Sequence, residues 1–348
     1  MGRNQRIFYA CQAVAITSRG GEVHAANVVK GLQSVGMSST FTLDQVFEMG
    51  QIEIYENIEE VADIEVTLEK VIDGEKLIYD LASSGACKTD VVASTKARSD
   101  VYLAVFDDGL SHATGVPRNV CMNSGMFISS VSYNYSIDGS ATESLTLVGN
   151  DRFWNEDGAA VLGGESVPYS GWREYENEVG GASGVTYQLD GTDTPVSGVV
   201  RRVDVDIAGS TLPALLKTQG GDDSSTEAGI GGNAHIQSIA VSTDFGQENI
   251  QELGRFGPYH RYATFPVEVT CDFEIIATSG GLINVSGAAP NLSNHELVIK
   301  DTAGTVINLG TKNKLSSVSY SGGDTGGGNA TVSYSFSNFN VLTVNGGA

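Results

Sequence analysis

Apolar and polar side chains alternate at every second position along much of this chain, the period of a strand with one buried and one wet face. Over residues 130–138 one face collects Ser130, Ser132, Asn134, Ser136 and Asp138, and the other collects Val131, Tyr133, Tyr135 and Ile137. After the Asp138-Gly139 turn, Glu143, Leu145 and Leu147 alternate with Thr142, Ser144 and Thr146. The pattern predicts a hairpin over residues 126–148 with one face of small hydroxyls and one apolar face. Over residues 264–275, Phe265, Val267, Val269, Cys271, Phe273 and Ile275 share a face, while Glu268, Thr270, Asp272 and Glu274 share the other. Pro266 marks an edge or a strand start there, because it cannot donate to the ladder. Further strands are predicted near the start, around Ile7, Tyr9, Gln12 and Ala13, and at residues 101–106.

The stretch "GQIEIYENIEEVADIEVTLEKVIDG", residues 50–74, supports two periods. A helix would align Ile54, Ile58, Val61, Leu68 and Ile72 but would also put Glu65 on the apolar seam. A strand over residues 63–72 places no polar residue on its apolar face, and its β-branched density suits a pleat. Strand is therefore the reading for this stretch. One short helix is predicted at residues 75–83, after the Asp73-Gly74 turn.

Composition agrees with a mainly β chain. Among 348 residues there are 43 glycines and 7 prolines, which suits many short strands and turns. This length buries a sizeable core without disulfide or metal staples. Twenty basic against 42 acidic residues leave a net charge of -22, which argues against phosphate-backbone binding, since that needs clustered Lys and Arg. Cys11, Cys87, Cys121 and Cys271 are far apart and lack a C-x-x-C pair, so they read as buried thiols rather than a disulfide framework or zinc site. Arg3 and Arg6 before residues 7–16 make only a faint echo of a signal peptide, interrupted by Gln12. No apolar run reaches the ~20 residues of a membrane helix, and Arg6 occupies the place where a myristoylation signal carries Ser or Thr.

Residues 151–232 stand apart in composition, with fifteen glycines, fourteen acids and five basic residues, and read as an outward insertion or small subdomain. Within them "GVTYQL" and "SGVVRRVDVDIAG" resemble strands. Residues 1–150 and 233–348 then form one discontinuous domain. "SSVSY" occurs at 129–133 and again at 316–320, and "IQSIAVST" at 236–243 alternates similarly. An internal repeat and generic strand grammar both account for this.

Catalytic signatures are lacking. There is no G-x-S-x-G elbow, S-x-x-K or Walker loop, and "GIGGNA" at 229–234 follows a loop and precedes a strand, the reverse of a dinucleotide site. "NEDG" at 155–158 lacks calcium ligands at the positions of Phe153 and Gly164. His24, His112, His235, His260 and His295 show no metal-ligand spacing. Asp107-Asp108 and Asp222-Asp223 are uninformative in so acidic a chain. A carbohydrate-active protein remains the enzymatic alternative, with Trp154 and Trp172 as stacking aromatics. An adhesive or capsid-decorating β-protein is another alternative.

The segments "IFYACQAVAI", "FEMGQIEIYENIEEVADIEVTLEKVIDG", "SVSYNYSIDGSATESLTLVGND", "LGRFGPYHRYATFPVEVTCDFEI" and "LGTKNKLSSVSYSGGDTGGGNATVSYSFSNFN" together resemble the tail tube proteins of bacteriophages and of related contractile injection machines. The resemblance covers most of the chain outside residues 151–232. It implies a β-sandwich or barrel with a flanking helix, whose subunits form rings, usually of six, that stack into a hollow tube. A non-enzymatic virion protein is implied, made in the host cytoplasm, needing no cofactor and passing DNA without holding it. Implied partners are further copies of itself, an initiator or baseplate, a terminator and, where present, a sheath. On this reading Ser130, Ser132, Asn134, Ser136, Asp138, Glu268, Thr270, Asp272 and Glu274 face the lumen. Glu65, Glu69, Lys70, Lys312 and Lys314 are ring-contact candidates, with Lys76 as a further counter-charge.

Overall fold

A computed structural model describes residues 7–20, 23, 25–83, 91–106, 117, 119–155, 198–207, 209–213, 216, 235–254, 256–277, 292–323 and 328–346. In chain order the elements are β1 (Gln12–Ser18), β2 (Leu32–Thr40), β3 (Leu43–Phe47), β4 (Ile54–Glu59), β5 (Asp63–Val71), α1 (Ile78–Ala82), α2 (Val91–Ser94), β6 (Ser99–Val105), β7 (Asn119–Ser136), β8 (Thr142–Gly149) and β9 (Asp151–Asn155). There follow β10 (Ile236–Asp244), β11 (Gln247–Ile250), β12 (His260–Ala263), β13 (Glu268–Ile276), β14 (Val298–Lys300), β15 (Val306–Asn308), β16 (Lys314–Ser321), β17 (Thr331–Phe339) and β18 (Thr343–Asn345). The protein is mainly β with antiparallel sheets.

The dominant feature is a path of eight strands in the order β2-β5-β8-β7-β10-β13-β17-β16. Strand β7 is 18 residues long and serves two sheets. Its first part, to Met126, pairs with β6 and β9, and its second part, from Phe127 on and bulged between Ile128 and Ser130, pairs with β8 and β10. β1 extends the smaller sheet by pairing with β6. One core lies under the eight-stranded path, built from Val131, Tyr133, Leu145, Leu147, Val241, Phe273, Tyr334 and Phe336 and closed by β1, β6 and α1. Each such side chain removed from water contributes about 1.5–3 kcal/mol. A second, smaller cluster around Ala15, Val28, Tyr102 and Met122 lies on the other side of β1 and β6.

The eight strands are one four-strand arrangement used twice. Numbered along the chain, β2, β5, β7 and β8 lie in the order first, second, fourth, third, and so do β10, β13, β16 and β17. Sequence and register agree. "LQSVGMSST" of β2 matches "IQSIAVSTD" of β10, and each is bulged after its first residue, between Leu32 and Ser34 and between Ile236 and Ser238. The two "SSVSY" segments fall on the corresponding strands β7 and β16. Both are bulged at the same place, between Ile128 and Ser130 and between Leu315 and Ser317. Between its first and second strands each repeat carries a hairpin arm, β3–β4 in one and β11–β12 in the other. The recurrence of "SSVSY" is thus an internal repeat, and the true partner of "IQSIAVST" is the β2 segment.

Several expected elements shift. The helix expected at 75–83 shortens to Ile78–Ala82, and the strand expected from 264 starts at Glu268, beyond Pro266. Tyr9–Cys11 forms a 3₁₀ turn, so the first strand opens at Gln12. The "SGVVRRVDVDIAG" stretch is not a strand. Its backbone is shared among several elements, with Val200 N–H donating to Ile72 O, Ala141 N–H donating to Val200 O, and Asp206 N–H donating to Lys300 O. The Asp204 and Asp206 carboxylates bind nearby backbone N–H groups of Arg201 and Gly209, turning the chain. Of residues 151–232, the described parts include β9 at 151–155 and Val200, Leu212 and Leu216, which join the main core. "GVTYQL", Trp172, Cys87 and the 229–234 glycine stretch lie outside the described residues.

Candidate lumen face and its edges

Each strand of the eight-stranded path turns one face to the core, and the opposite faces merge into a single wet surface. Register carries one row across it: Lys314 on β16 opposes Ser337, which is in line with Thr270, Ser242, Ser132, Ser144, Glu69 and Ser34. The next row runs through Ser317, Ser335, Asp272, Ala240, Asn134 and Thr142, and a third through Ser319, Ser333, Glu274, Ser238 and Ser136. The expected lumen residues Ser130, Ser132, Asn134, Ser136, Glu268, Thr270, Asp272 and Glu274 therefore share one surface, with Asp138 exposed at the adjoining turn.

The surface is held in place by its own small side chains. Ser242 Oγ lies 2.8 Å from Thr270 Oγ1, Ser335 Oγ donates to Asp272 Oδ1, Ser316 Oγ donates to Ser335 O at 2.9 Å, and Ser34 Oγ reaches Glu69 Oε2 at 3.4 Å. Serine and threonine suit such a wall because they satisfy one another across strands at little entropic cost. Its charge is one-sided. Glu65, Glu69, Asp244, Glu268, Asp272 and Glu274 stand on it, and among the described strand residues Lys314 is its one base.

The ring-contact candidates fall in three places. Glu65 and Glu69 sit on β5, one strand in from the β2 edge, on the same surface as the hydroxyl rows. Lys312 and Lys314 are exposed at the start of β16, the opposite edge, where Lys314 Nζ donates to Leu292 O. Lys70 is elsewhere. It continues the apolar face of β5 after Ile64, Val66 and Leu68, is fully buried, and pairs with Asp73 at 3.2 Å while donating to Lys76 O at 2.8 Å. Its charge is balanced by Asp73 within the chain, away from the exposed surface. The apolar face of β5 thus carries a polar residue that the alternation argument passed over, whereas Lys76 is exposed.

The residue opposite Lys70 on β8 was also missed. Glu143, expected beside Leu145 and Leu147 on the apolar face, is completely buried, where its carboxylate accepts Ile78 N–H at 2.6 Å, Tyr79 N–H at 3.0 Å and Tyr133 O–H at 3.1 Å. Burial pushes its pKa up, against those backbone donors and the Lys70 charge. Helix α1 has no side-chain cap of its own, and this carboxylate from β8 supplies one. The signal lay in the sequence as a lone Glu among the inward residues of a strand.

Both ends of the eight-strand path are open. Among the described residues β2 pairs only with β5, and β16 only with β17, leaving a row of backbone N–H and C=O groups on each. No described group of His, Cys, Asp and Glu is arranged to hold a metal ion, and Trp154 is exposed on β9. Cys11, Cys121 and Cys271 are buried, with burial pushing the Cys121 thiol up to about 11. No described helix is long and apolar enough to cross a membrane.

No protein-family model and no curated protein matches the chain. Among solved structures it is similar to the anti-feeding prophage tube-terminating cap, at 12% identity and a TM-score of 0.33 over 45% of this chain and 95% of that one. It is likewise similar to a chain of the anti-feeding prophage baseplate, at 14% and 0.32 over 44% and 97%. A third is the extended sheath–tube complex of the extracellular contractile injection system PVC, at 12% and 0.33 over 44% and 93%. A likeness this distant carries no conclusion about this chain.

Proposed function

We propose that the protein is the protomer of a phage-type tail tube, a structural chain whose copies close into rings that stack into a hollow conduit. The observation that carries this reading is the eight-stranded sheet with one apolar face in the core and the other clad in hydroxyls and carboxylates. A monomer has no use for so long a shared wet face with open strands at both ends. A water-filled channel does, and the open strands let copies add edge to edge. The acids repel polyanions, and the scarcity of Lys and Arg gives DNA nothing to hold, so a genome slides through. The partners are further copies, an initiator at the baseplate, a terminator and, on the outer wall, a sheath where one exists. The setting is the virion.

The test is negative-stain electron microscopy of the purified full chain at increasing concentration, with light scattering alongside. Rings with a central hole, or tubes, are expected. A particle that stays monomeric at every concentration, with or without a tail initiator complex, overturns the reading.

A further inference from the structure

The internal repeat contains a worked example of the contact between protomers. Inside the chain, the third strand of the first repeat, β7, pairs with the first strand of the second, β10. The third strand of the second repeat, β16, and the first of the first, β2, are the two open edges. We propose that β16 of one copy pairs with β2 of the next in the register that β7 and β10 already use, so that the intermolecular joint repeats the internal one. This deepens the tube reading and rests on it for the ring.

Transferring the internal register gives named pairs. Ser242 opposite Ser132 becomes Ser38 opposite Ser319, Val241 opposite Tyr133 becomes Met37 opposite Tyr320, and Asp244 opposite Ser130 becomes Thr40 opposite Ser317. The pattern of exposure supports the transfer. Tyr133 is 0% exposed and its counterpart Tyr320 is 48%; Phe245, just after β10, is 0% exposed and its counterpart Phe41, just after β2, is 70%. Val241 and Val131 are buried, whereas their counterparts Met37 and Val318 are only partly so. Each of these apolar and aromatic side chains left wholly or partly in water at an open edge has a twin that is covered at the internal joint. A neighbour's strand covers all of them together, and continues the hydroxyl rows across the boundary.

The arms give the same answer through charge. Arm β11–β12 of the second repeat lies over the first, with His260 against Phe127, Arg261 on Asp63 at 2.7 Å, and Phe245 N–H donating to Ser129 O at 2.8 Å. By the same geometry arm β3–β4 lies over the second repeat of the next copy, where Lys314 stands in the place of Phe127. That arm carries Asp44, Glu48, Glu53, Glu56, Glu59 and Glu60 and no base, so the acidic arm meets the Lys312 and Lys314 edge. A ring with six repeat positions, the usual number the resemblance implies, is then filled by three copies.

Cysteine cross-linking of the full chain carrying Ser38→Cys and Ser319→Cys tests the register. Under mild oxidation a disulfide-linked product that ends at three chains on a non-reducing gel is expected, while a Ser34→Cys, Ser319→Cys chain, four residues out of register, links at least about tenfold less. Microscopy runs in parallel on the unsubstituted chain and on Tyr320→Asp, which is expected to give a folded monomer. Rings or tubes without the in-register link, or with both pairs linking alike, overturn the register and leave the tube reading intact. A product ending at six chains overturns the count. In-register closed products that enclose no channel uphold the joint and overturn the tube.

Discussion

The two repeats share a surface and differ in what lies beneath it. On the wet side they match in character, with serine rows, the same two bulges and acids at Glu69 and Glu274. On the buried side Lys70 of the first repeat corresponds to Ile275 of the second, and Glu143 to Val332. The first repeat uses Glu143 to seat α1, whose backbone N–H groups point into its carboxylate. Among its described residues the second repeat shows no such helix, and at these two positions it is apolar. Features held in common therefore follow from lining and joining the sheet, and features that differ follow from how each half of the core is covered.

The sharpest way to break this comparison is to place one charge at corresponding positions. Val131 and Val318 occupy the same place in their repeats, but among the described residues a covering strand lies only beside the first. Val131→Asp buries an unpaired carboxylate, a cost of several kcal/mol that consumes most of a typical 5–15 kcal/mol stability. Loss of soluble, cooperatively melting protein is expected. Val318→Asp should melt within a few degrees of the unsubstituted chain by circular dichroism yet fail to form rings; equal damage from both would mean the β16 edge is not open in solution.

A smaller effect is expected at Glu143. Glu143→Ala strands two helix N–H groups and the Tyr133 hydroxyl in a dry core, and about 3–5 kcal/mol should be lost in urea unfolding. Val332→Ala, its counterpart, removes only apolar contact, and a loss of about 1–2.5 kcal/mol is expected. A Glu143→Ala loss no greater than that of Val332→Ala would show that Glu143 does not seat α1.

How far the sequence revealed this depends on the region. Period-two alternation placed Val131, Tyr133, Leu145, Val269 and Phe273 inward and the serines outward, because a half-buried sheet imposes that period directly. It also settled residues 63–72 as strand. Glu143 and Lys70 escaped because alternation scores a polar residue as an interruption, whereas here two interruptions on adjacent strands lie in one core. The repeat was half legible. "SSVSY" stood out by identity, but "LQSVGMSST" and "IQSIAVSTD" correspond mostly by chemical type. The order first, second, fourth, third is set by non-local pairing, which no local pattern encodes. The arms are the opposite case, since β3 and β4 carry apolar side chains yet every residue of both is exposed.

The second arm offers a pH-dependent contrast. His260 Nδ1 lies 2.5 Å from Arg98 Nη2, with Phe127 and Tyr262 against its ring, and burial followed by the Arg98 charge holds its pKa below the ordinary value. The folded protein therefore binds fewer protons than the unfolded chain between that lowered value and about 6.5. Its contribution to stability is complete above pH 6.5 and is lost as pH falls through the window. Melting temperature should drop between pH 7.5 and 5.5, and His260→Gln should flatten part of that drop. An unchanged pH profile would place the titration elsewhere.

The smallest effect on the folded protomer is expected from the first arm. Phe47 and Ile58 are exposed on β3 and β4, and among the described residues the arm makes none of the anchoring bonds that Arg261 and Gln247 make for its counterpart. Replacing both with serine removes apolar surface that is already in water, so monomer stability should change by no more than about 0.5 kcal/mol. The arm's place in assembly predicts the reverse there, because in a neighbour's grasp the same side chains leave water, and the concentration at which rings appear should rise about tenfold or more. A large loss of monomer stability would mean the arm folds back on its own chain. Unchanged assembly would remove it from the joint.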